Sequence, residues 1–183
     1  MNGNILLIVD AQVGVLRNTW DAPRIIENIS LAVEKAREQG IPVIWVQHTD
    51  DELVSGSPDW QTVPELSPAQ GEVQILKQFN SSFEQTSLQE TLAGLGATGI
   101  VLAGAATNWC IRSTAYGALE RGYDLTLISD AHTTESIELD SGVRIEAADI
   151  VRELNVVMTW VSYPERTNMA AGVKDLDFSR LTN

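Results

Sequence analysis

The sequence predicts an α/β protein: a single doubly wound, Rossmann-like domain with about six strands in a mainly parallel sheet and helices on both faces. Three observations carry that prediction. Short, wholly apolar runs such as NILLIVD (Asn4 to Asp10) and GIVLA (Gly99 to Ala103) have the texture of strands buried on both sides. Segments of helical periodicity separate them, as right-handed crossovers between parallel strands require. The length of 183 residues with 44% hydrophobic content suits one domain, spanning 1–183, with a sizeable core.

Asn4 to Asp10 is the first strand, with Asp10 at its carboxyl end, where open α/β sheets place their ligand crevice. A stretch without periodicity follows and carries Trp20. Pro23 then opens a helix to Gln39, with Ile25, Ile29, Val33 and Ala36 on one stripe and Gly40 as the stop. Ile41 to His48 is a second buried strand. Asp51 to Gly71, rich in Ser, Pro and Asp, is a long surface excursion of the kind that carries specificity.

Glu72 to Lys77 alternates and is the least regular of the predicted strands. Thr86 or Ser87 caps a short helix to Leu95. The strand Gly99 to Ala103 runs into the small residues Gly104, Ala105 and Ala106, a tight turn into a helix over Ile111 to Arg121. Tyr123 to Ser129 is the fifth strand, Ser141 to Leu154 a helix, and Asn155 to Trp160 (NVVMTW) the expected last strand. The remainder shows no strong pattern.

Composition narrows the function. A formal net charge of −13 disfavours nucleic acid and anionic membrane as partners. No apolar run approaches the roughly 20 residues that span a bilayer. The start, MNGNILLIVD, lacks the basic flank of a secretion signal, and the lone cysteine suits a reducing compartment, so a cytoplasmic location is expected. That cysteine, Cys110, falls in the first turn of a helix, where free N–H groups and the helix dipole favour thiolate over thiol. Asp10, Lys77 and Cys110 all fall at carboxyl ends of predicted strands, on one rim of the sheet. A base, a cation and a thiol are a complete set for acyl transfer. Taken singly, each has an ordinary reading: a capping aspartate, a solvated lysine and a small buried hydrophobe.

The segments LLIVDAQ around Asp10, LKQFNSSFEQTSL around Lys77, GAATNWCIRSTAYGALERGY around Cys110, and LTLISDA resemble, in order and spacing, the isochorismatase-like cysteine hydrolases. That superfamily includes nicotinamidases and N-carbamoylsarcosine amidases. The resemblance implies an Asp10–Lys77–Cys110 triad and hydrolysis of a small-molecule amide or ureido C–N bond through a Cys110 thioester. It further implies an oxyanion hole from the backbone N–H groups of Ala106 and Cys110, a cis peptide between Ala106 and Thr107, and a homo-oligomer, dimer or tetramer.

The chain departs from the nicotinamidases, which hold a metal with an Asp, His, His cluster after the second strand. Here Trp45 to Asp50 reads WVQHTD, and His132 is the only other histidine. No metal and no cofactor are therefore expected, and nicotinamide is disfavoured as substrate. His48 is read as a supporting or loop-anchoring group. Trp20, Phe79 and Trp109, near the predicted rim, are candidate substrate contacts. The alternatives are an isochorismatase-type vinyl-ether hydrolase and a non-catalytic thiol-bearing binding or redox protein.

Overall fold

The structure is a computed structural model, and it describes residues 3–178. Six parallel strands form one sheet in the order β3-β2-β1-β4-β5-β8. The strands are β1 (Asn4–Val9), β2 (Val43–His48), β3 (Val73–Lys77), β4 (Gly99–Ala105), β5 (Asp124–Thr133) and β8 (Asn168–Ala171). The chain winds outward from β1 to β3, then returns to lay β4 on the other side of β1. The direction of winding thus reverses between β1 and β4, and the crevice of such a sheet opens at that point.

Strand alternation divides the core. Leu6 and Ile8 point with Val101 and Ala103 to one face, covered by α2 (Ala22–Glu38) through Ile25, Ile29, Ala32, Val33 and Ala36. Ile5, Leu7 and Val9 point to the other, with Ile100 and Leu102. There α3 (Leu88–Gly94), α4 (Arg112–Glu120) and α5 (Ala147–Trp160) supply Leu88, Leu92, Ala115, Leu119, Leu154 and Met158. A one-turn helix α1 (Val13–Leu16) follows β1. Gly104 fits the β1–β4 contact because it has no side chain: its φ is +125°, and a Cβ there would lie 1.9 Å from the Val9 carbonyl oxygen.

Two expectations about the last third of the chain are corrected. Asn155 to Trp160 is not a strand but the second half of α5, which starts at Ala147 rather than Ser141. The helical stripe of Ala147, Ile150 and Val151 continues through Leu154 and Met158, with Val157 partly packed beside it, while Val156 and Trp160 lie exposed, the burial of a helix with one apolar face. Residues before α5 form a small antiparallel pair, β6 (Ile137–Glu138) and β7 (Arg144–Ile145). The sixth strand of the sheet is instead β8, four residues long and half-buried at the edge, too short to leave a periodic signature.

Candidate active site

Asp10 follows the last residue of β1 and turns the chain with a left-handed φ of +52°, which short polar residues tolerate better than others. Its N–H is held by the Val46 carbonyl at 2.8 Å. Lys77 ends β3, two strands away, and its register partner on β2 is His48. Its side chain reaches across the end of β2, fully buried, and places Nζ 2.7 Å from Asp10 Oδ2. The same Nζ lies 3.2 Å from Cys110 Sγ and 3.2 Å from His48 Nδ1. The structure therefore brings Asp10, Lys77 and Cys110 together.

Cys110 sits in a π-helical turn, Thr107–Ile111, that joins β4 to α4. The Ala106 carbonyl accepts from the N–H groups of Trp109 at 3.0 Å and Ile111 at 3.1 Å, bracketing Cys110. Single π turns of this kind recur at functional sites. The cis peptide lies one bond earlier than expected, between Ala105 and Ala106 rather than Ala106 and Thr107. The Ala106–Thr107 bond already belongs to the helical turn, whose first acceptor is the Ala106 carbonyl, so the bend out of the strand precedes it.

The thiol is not held as a thiolate. Burial pushes Cys110 up to about 12, the Asp10 carboxylate adds to the rise, and Lys77 only partly offsets them. Desolvation in the core thus outweighs the helix terminus that the sequence points to. Asp10 is likewise raised by burial, against the opposing pull of Lys77. Its second oxygen, Oδ1, is buried without a hydrogen-bond partner among the described residues. The site therefore sets a buried thiol beside an Asp10 side chain that has one oxygen on the Lys77 ammonium and the other without a partner among the described residues.

Several supporting residues lie outside the expected set. His132, fully buried, joins Thr107 Oγ1 (2.9 Å to Nδ1) to Asn155 Oδ1 (3.0 Å to Nε2). Because Asn155 donates its amide N–H to the Ser129 carbonyl, its oxygen accepts, so His132 carries its proton on Nε2 and accepts the Thr107 hydroxyl at Nδ1. Burial lowers this imidazole to about 4 and keeps it neutral. Thr134 donates to Asn108 Oδ1 at 2.6 Å, so the end of β5 holds the Cys110 turn at two points. This end of β5 extends past the predicted Ser129 through a register shift that sets His132 opposite Gly104. Gln12 holds the other side, donating to the His48 and Trp60 carbonyls and accepting from the His48 N–H. It lies within the LLIVDAQ segment, which was the available signal.

Of the candidate aromatic contacts, Trp109 lines a cavity of about 410 Å³ that also takes in Ala106, Asn108, Thr134 and Glu135. All three aromatics are exposed, and Trp20 and Phe79 lie outside that lining. Trp20 is tied by its backbone to Thr133 and Thr134, with Arg24 over its ring. Both histidines already have ring partners on each nitrogen, His48 with Lys77 and Asp50, and His132 with Thr107 and Asn155. Among the described residues no three His, Cys, Asp or Glu side chains converge as metal ligands, and no helix is long and apolar enough to cross a membrane.

The site is thus a parallel α/β sheet with an Asp, a Lys and a Cys gathered at the carboxyl ends of its strands. Comparison with known proteins gives the family. The isochorismatase domain profile matches residues 4–162, and the chain belongs to the isochorismatase family of hydrolases. It is 34% identical over 152 residues to the isochorismatase family protein YrdC of Bacillus subtilis, covering 79% of this chain and 81% of that one. It is 32% identical over 108 residues to the maleamate amidohydrolase of Pseudomonas putida, 54% of this chain and 51% of that one. The crystal structure of an isochorismatase from Pseudomonas putida KT2440 superposes with a TM-score of 0.87 at 28% identity, over 96% of this chain and 91% of that one.

Proposed function

We propose that this hydrolase cleaves the C–N bond of a small amide or ureide through an acyl–Cys110 thioester, without a metal. The observation that carries the reading is the convergence of Asp10 and Cys110 on one buried lysine ammonium, at 2.7 and 3.2 Å. Amidohydrolase relatives support it. As Sγ bonds to the carbonyl carbon, the thiol proton passes to Asp10. The oxyanion meets the backbone N–H groups of Ala106 and Cys110. On collapse the C–N bond breaks and Asp10 returns the proton to the leaving nitrogen. Asp10 then takes a proton from water as its oxygen attacks the thioester, and the acid departs as Cys110 regains a proton. A thiol of high pKa suits this coupled transfer, since the thiolate formed during attack is strongly nucleophilic.

The cavity lined by Ala106 and Trp109 does not include Asp10, Lys77 or Cys110 in its lining, but it adjoins the Cys110 turn through these two residues, and its walls support a substrate charge class. Glu135 lines it without an ion pair among the described residues, Glu138 is paired with Arg144, and no Lys or Arg contributes to the lining. Such a wall favours neutral or amine-bearing amides over carboxylate-bearing ones, a preference that would set this chain apart from the maleamate amidohydrolase it resembles.

The test is a panel of primary amides, ureides and lactams with one vinyl ether, read by release of ammonia or amine and by intact mass. The reading expects C–N cleavage with a hydroxylamine-sensitive adduct on Cys110, both absent in Cys110→Ala. Cleavage of the vinyl ether alone, with no adduct, overturns it.

A further inference from the structure

We propose that His48 is a pH-sensitive positioning residue, whose neutral ring is the third acceptor of the Lys77 ammonium and whose protonation disarms the site. The inference rests on the triad reading above and extends it to a residue that touches no reacting atom. An ammonium has three N–H donors and no acceptor. The Lys77 side chain is 0% exposed, and its Nζ meets three protein atoms: Asp10 Oδ2, Cys110 Sγ and His48 Nδ1. Since Lys77 can only donate, Nδ1 must accept. The proton of the neutral ring then sits on Nε2, directed at Asp50 Oδ2 at 2.9 Å.

Asp50 is built to receive it. Its other oxygen accepts the N–H groups of Leu53 at 2.6 Å and Glu52 at 2.9 Å, and these bonds, the Leu53 one foremost, hold its carboxyl below the usual range. A continuous chain therefore runs from Asp50, with its side chain 47% exposed, through His48 to the buried ammonium. The charged and titratable groups facing the His48 ring are Asp50 from its own loop, Lys77 from β3 and Asp10 from the end of β1. When the ring takes a second proton, Nδ1 becomes a donor aimed at another donor. The hydrogen bond is lost, and two cations face each other across 3.2 Å. Lys77 must then shift, and it cannot do so without loosening Asp10 and Cys110.

The sequence pattern explains why β2 supplies this residue. His48 and Lys77 are register partners on adjacent parallel strands, so any side chain at position 48 lies against the lysine as it crosses to Asp10. An acceptor there completes the ammonium's bonds; an apolar side chain leaves a buried N–H without a partner.

The experiment follows the rate of Cys110 alkylation by iodoacetamide against pH in wild type, His48→Asn, His48→Leu and Asp10→Asn. Asn places an amide oxygen near the position of Nδ1 and does not titrate. Wild type and His48→Asn are expected to differ in their acid limbs, because Asn cannot take the second proton that turns Nδ1 into a donor. His48→Leu is expected to react roughly tenfold to a hundredfold more slowly at every pH, as loss of one hydrogen bond to a charged group predicts. Nitrogen-15 shifts of the wild-type ring provide a readout independent of any variant, with the Nε2–H tautomer expected at neutral pH. Superimposable acid limbs in wild type and His48→Asn, or an Nδ1–H tautomer, overturn the inference alone. A Cys110 inert at every pH, and no slower in Asp10→Asn, overturns the triad reading as well.

Discussion

His132 makes the stability of this protein acid-sensitive in a way that can be worked through. The ring is wholly buried between Thr107 and Asn155, and burial lowers it from the ordinary 6.5 to about 4. Between those values the unfolded chain binds one proton that the folded chain does not, so stability falls as the pH falls. The loss from this one group is about 2 kcal/mol by pH 5 and about 3 kcal/mol by pH 4. Other groups also titrate, so the measurement is a comparison: urea unfolding of wild type and His132→Leu at pH 7 and pH 5. At pH 7 the variant should be less stable by about 2–4 kcal/mol, because the Thr107 hydroxyl and the Asn155 carbonyl lose their partner. At pH 5 that gap should narrow by about 2 kcal/mol, equivalent to about 4–8 °C in melting temperature for a chain of this size. Parallel stability curves for the two proteins would refute the reasoning, since they would mean that the folded state accepts the proton as readily as the unfolded one.

Other perturbations have equally definite outcomes. Gly104→Ala forces a Cβ to within 1.9 Å of the Val9 carbonyl at a φ of +125°; it should cost more than about 4 kcal/mol or abolish folding, as read from soluble yield and urea midpoint. Glu135→Gln should lower the preference for an amine-bearing over a carboxylate-bearing amide by roughly fivefold in kcat/KM, the scale of one exposed charge contact, and Glu135→Lys should lower it further. An unchanged preference would remove Glu135 from the substrate wall.

The legible part of this protein is the part governed by local pattern. β1 and β4 are apolar runs buried on both faces, and their ends locate Asp10 and the Cys110 turn directly. Lys77 is legible only with the family's spacing beside it, because β3 is an edge strand with alternating exposure. NVVMTW misleads because adjacent valines favour a strand reading, whereas Leu154 and Met158 bury on a helical period. The thiol's elevated pKa is not written locally: the helix start that favours a thiolate is a short stretch of sequence, but the burial and the Asp10 carboxylate that oppose it are brought to Cys110 by the tertiary fold. The partners of His48 and His132 follow from strand register and from a shift within β5, both tertiary facts.

The central claim is that Asp10, Lys77 and Cys110 act as one nucleophilic unit. Its most direct measurement is the rate of alkylation of Cys110 at pH 7, mapped by peptide mass, in wild type, Asp10→Asn and Lys77→Met, with circular dichroism to verify the fold. On the proposed mechanism, a thiol pushed up to about 12 reacts with Asp10 as base and with Lys77 holding that base. The account predicts a single adduct at Cys110 and a loss of about a hundredfold or more in both folded variants, the lower range of general-base assistance. Equal rates in all three proteins would contradict it and leave Cys110 an ordinary buried thiol.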